Sequence, residues 1–412
     1  GKMYTSATPK TPAPSPASLL RQTGAGYFPI ALIARLPFAM MVVGVLTLVV
    51  AARDSIALGG ATSALTGLGT ALIGPLLGAA ADKWGQRPVV LIAGLVNSGL
   101  LALIAWLAFS PAPTSTLLVI AFLIGASTPQ VAPLSRSRLV GIITRVYPRP
   151  RAARVLNGTM AYESAADEMA FVFGPVVVGL LATTAGPTAP VVGAAVLAVV
   201  FVTAFALHPT ATVRAADAAP ASRAPVRDLF RFGVLVPVAG TLGMGLFFGS
   251  ALTALTAFMA ERGAPEQAGL VYGAMGLGSA ALALAVALFP ARFTLAARWT
   301  TFGAVLAAGA IALGLVTSVA GMLVTLLVVG IGIGPTLVTM YTLAAGRAPA
   351  GRSATVMTML GSGVIVGQSA ASALVGALAE STGAGTALWA PLAAAALVLG
   401  AGVANALHTR GH

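Results

Sequence analysis

The chain has 412 residues, of which 58% are hydrophobic and only 8% charged, with a mean hydropathy of +0.95. A soluble globular protein carries roughly 25% charged residues, so this composition excludes an ordinary water-soluble enzyme, a disordered chain and a nucleic-acid-binding domain. The net charge of +13 does not reverse that, because the 23 Lys and Arg are scattered between long apolar runs and form no basic face. There are no cysteines, and His208, His408 and His412 stand singly near segment ends, so no catalytic group, metal site or cofactor is expected.

In chain order, residues 1–25 are rich in Pro, Ser and Thr and read as a flexible tail. Twelve apolar stretches follow, each long enough to cross ~30 Å of hydrocarbon as a helix: 26–51, 55–80, 88–109, 115–137, 156–184, 187–208, 232–259, 265–290, 299–318, 320–345, 353–379 and 385–406. They are too long and too uniformly apolar for the alternating strands of a membrane barrel. The fold class is therefore an all-α membrane protein of twelve transmembrane helices. The longest connection, 209–231, is polar and Ala/Pro rich. It divides the chain into a six-helix bundle over 26–208 and another over 232–406, with a short tail at 407–412.

Basic residues set the orientation. The side holding the N-terminus receives Lys2, Lys10, Arg21, Lys83, Arg87, Arg145, Arg149, Arg151, Arg154, Arg214, Arg223, Arg227, Arg231, Arg292, Arg298, Arg347, Arg352 and Arg410, against only Arg53 and Arg262 on the other. Both termini are expected in the cytoplasm, and an even number of spans agrees. Arginine far outnumbers lysine and alanine is abundant, which points to a GC-rich bacterial genome and hence to a bacterial cytoplasmic (inner) membrane.

The turn after the second span reads Gly78-Ala-Ala-Ala-Asp82-Lys83-Trp84-Gly85-Gln86-Arg87-Pro88. Gly78 permits a close helix approach. Asp82 suits an adjacent helix N-terminus, and Gly85 permits a tight turn. Lys83 and Arg87 are expected to face anionic lipid heads. This pattern resembles G-x-x-x-D-[RK]-x-G-[RK]-[RK], the signature loop of the major facilitator superfamily, and stands where that family places it, with Gln86 the one departure. The resemblance implies the two-bundle facilitator fold and a role for the loop in conformational gating. The second-half counterpart, Pro290-Ala-Arg292-Phe-Thr-Leu-Ala-Ala-Arg298, keeps basic charge but lacks the Gly and Asp. In the fifth span, Gly174, Pro175 and Gly179 resemble the G-P-x-x-G element of the family's antiporters, which lies at the interface between the halves. Ordinary small-residue packing explains these three equally well.

Few ionisable residues fall inside spans. Arg35 lies roughly 13 Å into the first span and Asp167 and Glu168 roughly 17 Å into the fifth, counting 1.5 Å per residue. Glu163 precedes Asp167 by four residues and shares its helix face, whereas Glu168 points about 100° away. Isolated mid-membrane charges cost at least ~2.5–3.5 kcal/mol, so these groups should find partners or line a wet cavity. The resemblance makes the first and fifth spans neighbours, which allows Arg35 to pair with Asp167 or Glu168. The arrangement is either a structural ion pair or a proton relay using Glu163, Asp167 or Glu168. Arg136 and Arg138 have two readings: a basic belt snorkelling to the interface, or a cationic lining of the inner cavity. Gln130, Tyr162, Tyr341, Gln368 and the Met40-Met41, Phe247-Phe248, Met357 and Met359 clusters are candidate substrate contacts or packing residues.

These features, with the resemblance, imply a secondary active transporter that exports small amphipathic molecules such as drugs or secondary metabolites against protons, as a monomer in the lipid bilayer. The alternative is uptake or exchange of a polar metabolite on the same fold, favoured if Arg35 is left unpaired for an anion. A sensor or assembly role without transport is a third and weaker fit. The glycine run Gly330-Ile-Gly-Ile-Gly334 has no following Lys, so ATP is not expected to drive the cycle.

Overall fold

A computed structural model describes residues 18–212, 223–264 and 267–412. The tail as far as residue 17, with Lys2 and Lys10, and the linker residues 213–222, with Arg214, lie outside the described residues.

Backbone N–H and C=O groups find no water in hydrocarbon, so the apolar runs satisfy them internally as helices. Among the described residues, twelve helices are long and apolar enough to span a membrane: Tyr27–Arg53, Leu58–Trp84, Gln86–Leu107, Thr114–Val146, Arg149–Ala185, Ala189–Leu207, Phe232–Ala260, Leu270–Leu288, Leu295–Leu315, Val319–Arg347, Ser353–Thr382 and Ala384–Arg410. An even number returns the chain to its starting side, called here the terminal face. Loop ends are capped locally: the Ser55, Thr294 and Ser318 hydroxyls accept from Leu58, Ala297 and Gly321 backbone N–H groups.

Two spans are broken where proline removes a helix donor. The first changes from Tyr27–Ala34 to Leu36–Arg53 at Arg35, two residues before Pro37. The fourth breaks between Thr114–Ala126 and Val131–Val146, with Pro129 and Pro133 flanking Gln130, whose φ of 57° is left-handed. The fourth span therefore runs nine residues beyond its expected end at 137. The fifth starts at Arg149 rather than 156, because Pro150 falls in the first turn, where its missing N–H costs no helical hydrogen bond. Arg149, Arg151 and Arg154 are thus on a helix and not in a loop.

Helices pack on one another within the first six spans and within the last six. Within them the second packs on the fourth, the seventh on the eleventh, and the tenth on the eighth and ninth. Across the halves the second span packs on the eleventh, the fifth on the eighth and tenth, and the terminal-face part of the fourth on the eleventh. Met40 and Met41 are buried in a first-half core, and Phe247 and Met357 in a larger core that joins second-half residues with Val140, Met160, Ala161 and Ala165, so these four are packing residues.

Candidate functional site

Arg35 sits at the break in the first span, and Glu163 and Asp167 share one face of the fifth. The structure brings all three together. Arg35 Nη2 forms an ion pair with Glu163 Oε2. Its Nε donates to Asp167 Oδ1 at 2.8 Å, and its Nη1 donates to Ala31 O at 3.1 Å. Arg136 completes the group from the other side, donating from Nη2 to Asp167 Oδ2 at 2.7 Å. Its guanidinium lies 3.9 Å from the ring centroid of Tyr341, on the tenth span of the other half. Ser135 Oγ donates to Glu163 Oε1 at 2.9 Å, and Tyr27 Oη meets Ser135 Oγ at 2.5 Å. Two cations and two carboxylates therefore balance in one connected network. Glu163 is fully buried, while the Asp167 side chain keeps 21% of its surface exposed.

The snorkelling reading of Arg136 and Arg138 is wrong. Arg136 is 1% exposed and Arg138 is 0% exposed. Both lie on Val131–Val146, which turns inward after its break. Arg138 donates to Gln86 Oε1 at 2.9 Å, Phe205 O at 2.9 Å and Thr210 Oγ1 at 3.1 Å, and stacks 3.8 Å from the Phe205 ring centroid. It ties the third, fourth and sixth spans of one half together, with every named contact inside the protein.

This network reaches His208, just past the sixth span. Its Nδ1 accepts from the Thr210 backbone N–H at 3.2 Å. Burial, and after it the Arg138 charge, lowers the imidazole from its ordinary value of 6.5. The neutral ring is the form that holds this turn. Its contribution is complete above pH 6.5 and is lost as pH falls below that value toward the folded one. Hydrogen exchange at the Thr210 amide is expected to quicken on acidification from pH 7.5 to 5.5, after correction for intrinsic rates, and a His208→Gln variant should lack that response. A cavity of about 320 Å³ opens beside this turn, between Gln22, Arg145 and Thr210, and no residue of the Arg35 cluster lines it.

Glu168 faces the other way, as its spacing requires. It crosses the seam between the fifth and eighth spans to lie beside Tyr272 and Ser279 of the second half. The Ser279 hydroxyl is buried beside the Glu168 carboxylate. Among the described residues no basic side chain pairs with Glu168. Neither Tyr272 nor Ser279 stands out in the sequence, because a contact between halves leaves no trace in local spacing.

The signature loop joins the halves at the terminal face. Asp82 Oδ1 accepts from the Ala354 N–H at 3.1 Å, and Oδ2 accepts from the N–H and hydroxyl of Thr355, each at 2.8 Å. The carboxylate thus covers the N-terminus of the eleventh span, where free donors and the helix dipole favour negative charge. Gly78 lies against Ala354 and Thr358 of that span, leaving no room for a side chain. Gly85 turns the chain with φ of 90°, a conformation that disfavours any other residue. Lys83 is exposed and packs over Trp84. Arg87 departs from expectation: it is half-buried and donates to Leu207 O and His208 O, because the end of the sixth span lies within its reach before lipid does. The second-half counterpart works without the Asp: Arg298 donates to Asn157 Oδ1 of the fifth span at 3.2 Å, and Asn157 Nδ2 donates to Val286 O at 3.3 Å.

The fifth-span glycines do not lie where the resemblance implies. Gly174 packs on Ala39 of the first span in its own half, and Gly179 has open space beside it. The helix passes through Pro175 without a break. Val172, on a different face, makes the cross-half contact with Gly276.

Comparison with known proteins agrees with this architecture. The model of the Major Facilitator Superfamily matches residues 27–372. Among solved structures, the human organic anion transporter MFSD10 (TETRAN) superposes with a TM-score of 0.70 at 17% identity, covering 94% of this chain and 100% of that one. A bacterial homologue of the iron transporter ferroportin, in an outward-facing state, gives 0.70 at 12% identity, covering 95% and 100%. The E. coli fucose:proton symporter FucP gives 0.63 at 13% identity, covering 92% and 98%. At such identities the likeness is one of fold. No curated protein sequence matches the chain. With most of its length matched by the family model and its twelve helices superposing on three transporters, the chain belongs to the Major Facilitator Superfamily.

Proposed function

We propose that this protein is a secondary active transporter of a bacterial cytoplasmic membrane, exporting small amphipathic molecules such as drugs or secondary metabolites in exchange for protons. The observation that carries the reading is the charge inventory at the centre. Arg35 and Arg136 are balanced by Glu163 and Asp167. Glu168 stands on the seam between the halves without a basic partner. A carboxylate in that position alternates between a neutral, protonated form and a charged form that needs a cation or water. The proton carrier is therefore Glu168, while Glu163 and Asp167 are engaged by Arg35 and Arg136.

The same inventory weighs against the alternative substrate class. An anion needs an unpaired cation in the centre, and Arg35 is committed to two carboxylates. A neutral or cationic amphipath meets no such conflict. Cross-half contacts run from the terminal face (Asp82 to Thr355, Asn157 to Val286) through mid-depth (Val172 to Gly276) to Gly67 against Ser369, roughly 25 Å in at 1.5 Å per residue. Beyond that contact, the far ends of the second and eleventh spans pack within their own halves, as Gly59 does on Val50 and Gly376 on Thr253. This favours a state closed on the terminal face and open on the other. Described arginines concentrate on the terminal face, with Arg53 and Arg262 opposite, which supports a cytoplasmic position for that face. One chain holds both halves, so a monomer suffices for alternating access.

Proteoliposomes test the reading. With an imposed pH gradient, adding rhodamine 6G or tetraphenylphosphonium should drive proton movement reported by a trapped pH dye. Glu168→Gln should abolish gradient-driven transport while leaving downhill substrate exchange measurable. Gradient-driven transport by Glu168→Gln at the wild-type rate would sink the assignment.

A further inference from the structure

Two buried polar side chains meet across the other seam, and neither has a partner. Gln130 is held in a left-handed conformation at the break in the fourth span. It is 6% exposed, and its Nε2 makes no hydrogen bond. Ser362, on the eleventh span, is also 6% exposed and its hydroxyl is unsatisfied. Both converge on Gly74 of the second span: a methyl group placed there would lie 2.9 Å from Ser362 Oγ and 3.2 Å from Gln130 Nε2. Pro133 packs close to Gly361 and fixes the fourth and eleventh spans at this point. Buried donors without acceptors are destabilising and rare, and a cluster of them marks a place where something else binds.

Depth connects this place to the centre. Gly74 is ten residues from Trp84 and Ser362 nine from Ser353, roughly 14–15 Å from the terminal face at 1.5 Å per residue. Arg35, eight residues past Tyr27, lies at about the same level, as does Ser279, nine residues from Leu288. Each seam thus carries, at mid-depth, one first-half polar side chain opposite one buried second-half serine: Glu168 with Ser279, and Gln130 with Ser362.

We propose that Gln130, Ser362 and the bare edge of Gly74 form a hydrogen-bonding subsite for the transported molecule, on the wall opposite Glu168, that takes a neutral acceptor oxygen such as a carbonyl or ether. The amide Nε2 donates, and the serine hydroxyl rotates to donate to the same oxygen, which has lone pairs for both. No charged side chain is among the named neighbours, so a carboxylate or phosphate has no counter-ion there. The two donors belong to different halves, so the bound oxygen bridges the moving parts. This inference rests on the exporter reading and supplies the oxygen-bearing character of its substrate.

The chain has no cysteine, so single cysteines can be introduced directly. Ser362→Cys should react with 2-aminoethyl methanethiosulfonate at least tenfold faster than Leu360→Cys, whose parent residue is fully buried. Rhodamine 6G, which carries an ester carbonyl and a ring ether, should slow that reaction at least threefold; tetraphenylphosphonium, which has no oxygen, should not. In binding measurements, Gln130→Leu should weaken rhodamine 6G about tenfold and leave tetraphenylphosphonium unchanged, the loss expected for one buried hydrogen bond. Gly74→Ala should act in the same direction by occupying the space. Reactivity of Ser362→Cys no greater than Leu360→Cys overturns the subsite, as does protection by both probes or by neither. If selective protection holds while Glu168→Gln transports normally against a pH gradient, the subsite stands and the coupling assignment falls.

Discussion

Replacing Arg35 by leucine should destabilise the protein by about 3–5 kcal/mol, the range for removing one partner of a buried ion pair. Glu163 has no exposed surface and would keep only the Ser135 hydroxyl as a donor. Asp167 would keep Arg136 and its partial exposure, so the damage centres on Glu163. The paired change follows from the same balance. Arg35→Gln with Glu163→Gln removes one positive and one negative charge and leaves the Arg136–Asp167 pair intact. That double variant should recover most of the loss, because the desolvation cost of both ions goes with their attraction. Thermal unfolding in detergent would check both. Equal destabilisation by the single and double variants would mean that shape, and not charge balance, holds this centre. Arg136→Leu should resemble Arg35→Leu less closely, since Asp167 retains both Arg35 and water.

The sequence makes some of this legible and hides the rest for physical reasons. A 20-residue apolar run has one outcome in lipid, so the spans and the division near 209–231 follow from composition. The helix breaks at Arg35 and Gln130 have a visible cause in Pro37, Pro129 and Pro133, but proline is common in membrane helices and its presence does not say which one opens the chain. Spacing separates Glu168 from Asp167 by about 100°, and the structure uses that angle to send one carboxylate to Arg35 and the other across the seam. It does not reveal Tyr272 or Ser279, which approach from a span a hundred residues away. Basic clustering places Arg138 on the surface, yet Gln86, Phe205 and Thr210 bury it. The departure at Gln86 was the available signal. A second cation in that position would face Arg138, whereas glutamine accepts from it and donates to Leu134 O at 3.0 Å.

The other large effect is expected at Asp82. Its three accepted hydrogen bonds come from the first turn of the eleventh span, in the opposite half, so Asp82→Ala removes a tie between bundles without touching either core. Hydrogen bonds to a charged group are worth about 1.5–3 kcal/mol. Loss of that amount shifts a two-state balance between closed and open terminal faces by roughly 10- to 150-fold. Thr358, buried beneath the contact and packed on Gly78, is the reporter. Thr358→Cys should be labelled by a maleimide 10- to 100-fold faster when Asp82→Ala is added, with Asp82→Asn between the two because it keeps an acceptor but loses the charge. Leu101→Cys, fully buried in a core made of first-half residues alone, should stay unlabelled in every background, which separates opening of the seam from unfolding. An unchanged labelling rate at Thr358→Cys would show that the close packing of Gly74 and Gly78 on the eleventh span is enough to hold the face shut. The carboxylate would then serve the helix end alone.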